Sequence, residues 1–338
     1  MKKTGPKSLY TPPFTITAAI VSLVAEISSM LGRHSAIKNR TDNLRLRKIN
    51  RVRTIHGSLA IEGNTLNEEQ ITAILEGKKV IAPPREIQEV RNAIRAYEHF
   101  DKWDPSSRKD LLEAHKILMT GLLDRPGQFR TGNVGIMAGE KLVHMAPPAD
   151  IAVTRMNELL SWLKTTEQHP LIAGSVFHYE FEFIHPFDDG NGRMGRLWQT
   201  LILSRWNSIF ASVPVESLVY EHQAEYYAAL NTSNEKAESS TFIEFMLVMI
   251  RYALVTGIAP EVNPEVTPEV RRMLAVMDGD MTRKEIQEKL GLKDEKNFRE
   301  KYLQPAIAAG FVEMTIPDKP NSRLQGYRLT GKGEGLSS

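Results

Sequence analysis

The chain of 338 residues contains no cysteine. That excludes disulfides, thiolate zinc sites and a cysteine nucleophile. It carries almost no net charge: 43 Lys and Arg stand against 41 Asp and Glu, for +2. Bulk electrostatics therefore select no partner class. No apolar run is long enough to span a bilayer, so no membrane partner is expected. The opening MKKTGPKSLYTPPFTI has a basic start but no apolar segment before its prolines. It reads as an extended arm rather than a signal peptide. A cytoplasmic location is the expectation.

What is present is helical pattern. Helices are expected at about 15–33, 41–62, from 65–67, 85–101, 107–123, 149–166, 170–183, 191–206, 221–233 and 240–256. Gly63-Asn64 stops the second of these, and Asn67 with Gln70 fits a capping box that starts the next. The one strong β signal before residue 260 is RPGQFRTGNVGIMAGEKLVHMAPP, a hairpin turning at Gly139-Glu140-Lys141. APEVNPEVTPEV, residues 259–270, repeats Pro-Glu-Val and reads as an extended linker. Beyond it come a helix capped by Thr282 and Glu285, a helix over about 294–309, and the strands VEMTI and GYRLT. That order is the winged-helix order. The expected domains are 1–105, 106–258 and 270–335, joined by a linker at 259–269.

The densest chemistry lies in HPFDDGNGRMGR, residues 185–196. Gly190-Asn191-Gly192 precedes a helix with apolar spacing at Met194, Leu197, Trp198, Leu201 and Ile202. Glycines let the backbone approach a ligand closely, and free N–H groups at a helix start cradle anions. Arg193 and Arg196 lie in the first turns of that helix, where cations are unfavourable unless an anion is bound. Asp189 offers the hard oxygen that Mg²⁺ on a nucleotide needs. His185 has the chemistry of a general base.

This run resembles the signature of the Fic family, HPFx(D/E)GNGRxxR, at every specified position. The resemblance implies a mainly α fold, a Fic-type helical core with a β-hairpin flap, here followed by an α+β winged helix. It implies transfer of AMP from ATP to a Ser, Thr or Tyr hydroxyl of a protein, with Mg²⁺ and release of pyrophosphate. His185 would take the hydroxyl proton and Asp189 would bind Mg²⁺. Gly190, Asn191, Gly192 and Gly195 would belong to the phosphate cradle, Asn191 through its side chain as well. Arg193 would meet the β-phosphate and Arg196 the γ-phosphate. Pro186 and Phe187 read as structural. Relatives that phosphorylate instead carry Lys where this chain has Gly192, which disfavours a kinase. UMP or phosphocholine transfer stays open.

Three further segments match the family. The hairpin corresponds to the flap, whose Val134, Gly135, Ile136 and Met137 would pair with an extended segment of a protein substrate, the chain itself included. Glu225-Tyr226-Tyr227 through Asn234 resembles the YYxxLxxxN segment, with Tyr226, Tyr227 and Asn234 beside the nucleotide. Ser58-Leu59-Ala60-Ile61-Glu62-Gly63-Asn64 resembles the inhibitory motif (S/T)xxxE(G/N). There Ser58, Glu62, Gly63 and Asn64 form a brake in which Glu62 takes Arg196 and fills the γ-phosphate space.

The tail is weakly basic: residues 281–338 hold 11 Lys and Arg against 8 Asp and Glu. Lys293, Lys296, Arg299 and Lys301, with Lys319 and Arg323 in the wing loop, could meet DNA phosphates or form a solvated face of a protein-docking module. A rival reading is a DNA-binding transcriptional regulator with an ATP-sensing Fic module. Fic proteins often dimerise, so a homodimer is among the expected partners.

Overall fold

Helices dominate, as the apolar spacing predicts. The computed structural model describes residues 10–37, 44–138, 141–258, 268–292, 294–308, 310–316, 325–331 and 333. The chain divides into two units, Met1–Gly257 and Ile258–Ser338. The first holds α1 (Ala18–Ile37), α2 (Leu44–Ile61), α3 (Glu68–Leu75), α4 (Pro84–His99) and α5 (Arg108–Met119). A hairpin of β1 (Gly135–Ala138) and β2 (Lys141–Met145) follows. After it come α6 (Ala149–Thr165), α7 (Pro170–Ile184), α8 (Asn191–Trp206), α9 (Val215–Glu221), α10 (Gln223–Lys236) and α11 (Ser240–Ile258).

The pair α7 and α8 forms the centre. Every residue from Leu171 to Phe181 is buried, and so is almost all of α8. Each fully buried large apolar side chain contributes about 1.5–3 kcal/mol. Several buried polar groups of the pair are satisfied internally. Ser175 Oγ donates to the Leu171 carbonyl at 2.9 Å, and His178 meets Gln199 of α8 at 2.6 Å. The two helices approach so closely that a Cβ at Gly195 would lie 2.9 Å from the His178 ring.

Helix ends follow the sequence. Asn67 and Gln70 complete the capping box, Oδ1 of Asn67 accepting from Gln70 N at 2.9 Å and Oε1 of Gln70 from Asn67 N at 3.0 Å. Gly63, at φ +89°, turns the chain out of α2. Residues 10–17, the described part of the arm before α1, are non-helical and tied down: Thr15 N donates to Ser240 Oγ at 2.8 Å, and Ser239 N to the Pro13 carbonyl at 3.0 Å.

The helix expected at 221–233 is α10, and the short α9 before it has no counterpart in the sequence reading. The chain breaks at His222, at φ −111° and ψ 37°, without Gly or Pro to announce it. The break lets α9 lie along α2. There Gly57 packs on backbone: a Cβ would stand 2.6 Å from both Glu216 O and Ser217 N.

The second unit has α12 (Pro268–Val276), β3 (Met281–Thr282), α13 (Arg283–Lys289), α14 (Glu295–Phe298) and α15 (Gln304–Ala308). A π-helical turn, Arg299–Leu303, joins the last two. Then β4 (Val312–Met314) and β5 (Gly326–Leu329) complete an antiparallel sheet of order β3-β5-β4. Its core includes Met273, Leu274, Ile286, Phe298, Ala306, Phe311 and Tyr327. Pro268 and Glu269, assigned to the linker by the repeat, instead open α12. Proline fits a first helical position, where no N–H is needed. Residues 259–267, the turn residues Gly139 and Glu140, and Lys293, Lys319 and Arg323 lie outside the described residues. No helix among the described residues is long and apolar enough to cross a membrane.

Candidate active site

The loop 185–190 and the start of α8 form the site. His185 ends α7 in the left-handed conformation, at φ 50°. That is a strained state for a non-glycine residue, and specific contacts hold it. The His185 carbonyl accepts from Arg130 Nε at 2.7 Å. Phe187 sits fully in the core, stacked on His115 at a ring separation of 3.7 Å. His115 Nδ1 accepts from Gly127 N at 2.8 Å, so its other nitrogen donates to the Asp189 carbonyl at 3.0 Å.

Gly190, at φ +85°, turns the chain into α8, and no side chain caps the first turn of that helix. Its leading N–H groups are therefore left for an anion. Arg193 is 5 % exposed, pairs with Asp189 at 3.2 Å and with Glu89 of α4 at 3.4 Å, and leaves a buried Nε without a partner. An orphaned guanidinium N–H beside open amides is what a phosphate oxygen would satisfy.

Arg196 is fully enclosed. Its Nε donates to Ser58 Oγ at 3.1 Å, and its Nη2 donates to the Ser58 carbonyl at 2.9 Å and to Glu62 Oε1 at 2.7 Å. Burial works against its charge, but Glu62, Tyr226 and Glu182 together outweigh it and its pKa is raised. Glu62 also crowds the first turn of α8, because a Cβ at Gly192 would collide with Glu62 Oε1. Asn64 fixes the corner behind Glu62, donating to Glu89 Oε2 at 2.8 Å. Ser58 and Glu62 thus meet α8 and Asn64 meets α4, while Gly63 makes the turn between them.

His185 Nδ1 is buried without a partner. Burial, with smaller effects from Arg130 and His144, pushes its pKa down to about 4. The imidazole is therefore neutral at pH 7, the form a base requires. Asp189 remains 40 % exposed beside the cradle, held by Arg193 and, at 3.4 Å, by Arg85. An accessible carboxylate next to a phosphate cradle suits Mg²⁺, which takes much of its coordination from phosphates and water.

Four of the expected nucleotide-side residues also make contacts within the chain. The Asn191 side chain binds the Phe187 backbone on both sides, accepting from N at 3.0 Å and donating to O at 2.9 Å. These bonds shape the loop and use one of the two Nδ2 N–H groups. Gly195 faces His178 and Glu182, so its missing side chain serves helix packing rather than a nucleotide. Tyr226 is 1 % exposed, and its hydroxyl donates to His178 Nε2 at 3.1 Å. It is a core residue, while Tyr227 is 45 % exposed. Asn234 Oδ1 accepts from the Tyr179 hydroxyl at 3.0 Å, so that acceptor is already used.

Two residues escaped the sequence reading. Arg130, 2 % exposed, places its guanidinium on the carbonyls of Gly132, Pro147, Ile184 and His185. It joins both feet of the hairpin to the loop that begins at His185. Glu182 lies one helical turn before His185, with a buried Oε1 that has no partner. A lone Arg or Glu carries no signal in a sequence; only the fold reveals them. Val134 accepts from Ala146 N at 3.2 Å, and β1 pairs antiparallel with β2, Gly135 opposite Met145 and Ile136 opposite His144. The side chains of Ile136 and Met137 lie outside the described residues.

The Fic/DOC family matches residues 105–203, and the C-terminal domain of "Filamentation induced by cAMP protein Fic-like" matches 268–330. "Protein adenylyltransferase Fic" of Aedes aegypti is 30 % identical over 208 residues, covering 58 % of this chain and 39 % of that protein. "Protein adenylyltransferase fic-1" of Caenorhabditis elegans is 31 % identical over 198 residues, covering 53 % and 36 %. The chain thus spans well under half the length of these curated relatives. The crystal structure of a Fic family protein from Desulfovibrio desulfuricans G20 is 50 % identical, with a TM-score of 0.73 over 96 % of this chain and 99 % of that one. With that identity and coverage, the chain belongs to the Fic family.

Proposed function

We propose that this protein transfers AMP from ATP to a protein hydroxyl, and that its own α2 holds the reaction down. The observation that carries the reading is the Arg196–Glu62 pair at 2.7 Å, beside amides that no side chain caps. A built anion site is filled by an internal carboxylate. Gly190 and the first turn of α8 would hold the phosphates, with Arg193 on the β-phosphate and Arg196 on the γ-phosphate. Asp189 would hold Mg²⁺, which supplies charge neutralisation on the leaving pyrophosphate. Neutral His185 takes the proton of the attacking hydroxyl. The relatives named protein adenylyltransferases support the same chemistry.

The hairpin serves as the docking edge. A target segment would add to β1 through its main chain, bringing a Ser, Thr or Tyr hydroxyl toward His185. Arg130 keeps that edge in register with the base. We read the second unit as a winged helix that docks a partner. Lys296 and Lys301 are exposed on it, which keeps DNA as a second reading. A salt-dependent shift of duplex DNA by the full chain would support that reading, and its absence would leave protein docking.

ATP labelled at the α- or the γ-phosphate tests the reaction class in the Glu62→Gly variant. Protein-bound label from the α position alone is the expected result. Label from the γ position would replace AMP transfer with phosphorylation.

A further inference from the structure

Glu182 is a buried carboxyl with no part in the chemistry above. Its side chain is 13 % exposed, yet Oε1 itself is buried and unpartnered. The nearest ring nitrogen, His178 Nε2, is 3.8 Å away. Both nitrogens of that ring are already engaged, Nδ1 with Gln199 at 2.6 Å and Nε2 with the Tyr226 hydroxyl at 3.1 Å. Burial also keeps His178 neutral, its pKa lowered to about 3, so it has no proton to give Glu182. Oε1 rests against α8 instead, 3.0 Å from where a Cβ on Gly195 would be, one residue before Arg196.

Few charged or titratable groups face this carboxyl. They are His178 of α7, Arg196 of α8, Glu62 of α2, and Tyr226 and Tyr227 of α10. Burial raises its pKa to about 7, with Arg196 opposing the rise and Glu62 adding to it. An orphaned buried oxygen calls for a reason. The neighbourhood supplies one, because Arg196 is a buried cation whose bound anion must leave before another can enter. A buried charge stripped of its partner is strongly unfavourable.

We propose that Glu182 is the standby counter-ion of Arg196, protonated while another anion sits on the guanidinium and ionised when that anion is gone. The proposal rests on the reading that Arg196 takes the terminal phosphate of the nucleotide. Departure of Glu62 removes a group that raises the pKa of Glu182 and frees the Arg196 charge that lowers it. Both changes favour the carboxylate. Arrival of the phosphate reverses them, so nucleotide binding to the opened site takes up a proton from solvent and weakens as pH rises.

Calorimetric titration of ATP with Mg²⁺ tests this in Glu62→Gly and in Glu62→Gly/Glu182→Gln. Two buffers of different ionisation enthalpy are used, at about pH 7 and about pH 8. The first variant should take up about half a proton at about pH 7 and less at about pH 8, with affinity falling about twofold between them. Adding Glu182→Gln should abolish the uptake and flatten the pH dependence, with cooperative melting retained. Equal uptake in both variants overturns the proposal. Should the double variant fail to fold, the single variant decides, because binding without proton uptake is also a negative result. A third variant, Glu62→Gly/Arg196→Ala, separates the two readings. If it binds ATP as tightly as Glu62→Gly, Arg196 is not the phosphate handle and the reading beneath the proposal fails.

Discussion

Arg196 Nη2 and Glu62 Oε1 lie 2.7 Å apart, with the guanidinium 3 % exposed and the carboxylate 30 % exposed. Their exposures make the pair asymmetric. Removing the carboxylate strands a buried cation, whereas a swing of α2 returns the carboxylate to water. Glu62→Gln should therefore lower stability by about 1–3 kcal/mol, below the range for a fully buried pair because Glu62 is partly wet. ATP with Mg²⁺ should restore most of the lost melting temperature in this variant and little in the native chain. Equal nucleotide-induced shifts in both would show that Glu62 does not compete with the nucleotide.

Gly57 controls how closely α2 approaches α9. A side chain there meets backbone, which cannot move aside as a flexible side chain can. Gly57→Val should cost about 2 kcal/mol or more through overpacking and loosen α2 without touching Arg196 or Glu62. Hydrogen exchange should then speed up along residues 50–61, and AMP transfer should rise. Faster exchange with no gain in transfer would separate the helix from the brake.

Arg130 holds the base and the hairpin in one frame. Arg130→Lys keeps the charge but cannot reach four carbonyls, so the left-handed turn at His185 loses its clamp. In the Glu62→Gly background it should reduce kcat by about 10²-fold, as misplacement of a catalytic group does, while ATP affinity stays within about twofold. Partial rescue by added guanidinium would identify positioning. A parallel loss of ATP affinity would point to a general structural defect instead.

Three histidines set the acid limit. Burial lowers the pKa of His115 to about 4, of His178 to about 3 and of His185 to about 4, each from 6.5. Depressed values mean that the unfolded chain binds more protons below pH 6.5, so the stability these groups contribute is present above that pH and lost as pH falls. Chemical denaturation should show a decline beginning below about pH 6.5 and continuing to about pH 4. AMP transfer by Glu62→Gly should show no loss of the base form of His185 until about pH 5 or lower. A rate that falls with a pKa near 6.5 would mean that the base sits in a wetter site than this one.

Much of this was legible in sequence because it was local. The HPFDDGNGRMGR run, the Asn67 capping box and the Gly63 stop each follow from adjacent residues. The break at His222 was not legible, because the packing of α9 on α2 decides it and no turn residue marks it. Arg130 acts on carbonyls from three separate segments, and Glu182 matters through Arg196 and Glu62, so neither has a pattern along the chain. Asn191 and Tyr226 show what a motif alone leaves out. Their positions match a motif, but their side chains are committed to the loop and to His178.

The central claim is a competent AMP-transfer site kept silent by Glu62. Intact mass spectrometry after incubation with ATP and Mg²⁺ tests it most directly, comparing the native chain, Glu62→Gly and Glu62→Gly/His185→Ala. The account predicts a gain of one AMP mass in Glu62→Gly, at least about tenfold more than in the native chain, and none once His185 is removed. Equal modification of the native chain and Glu62→Gly, or a gain that survives loss of His185, would contradict it.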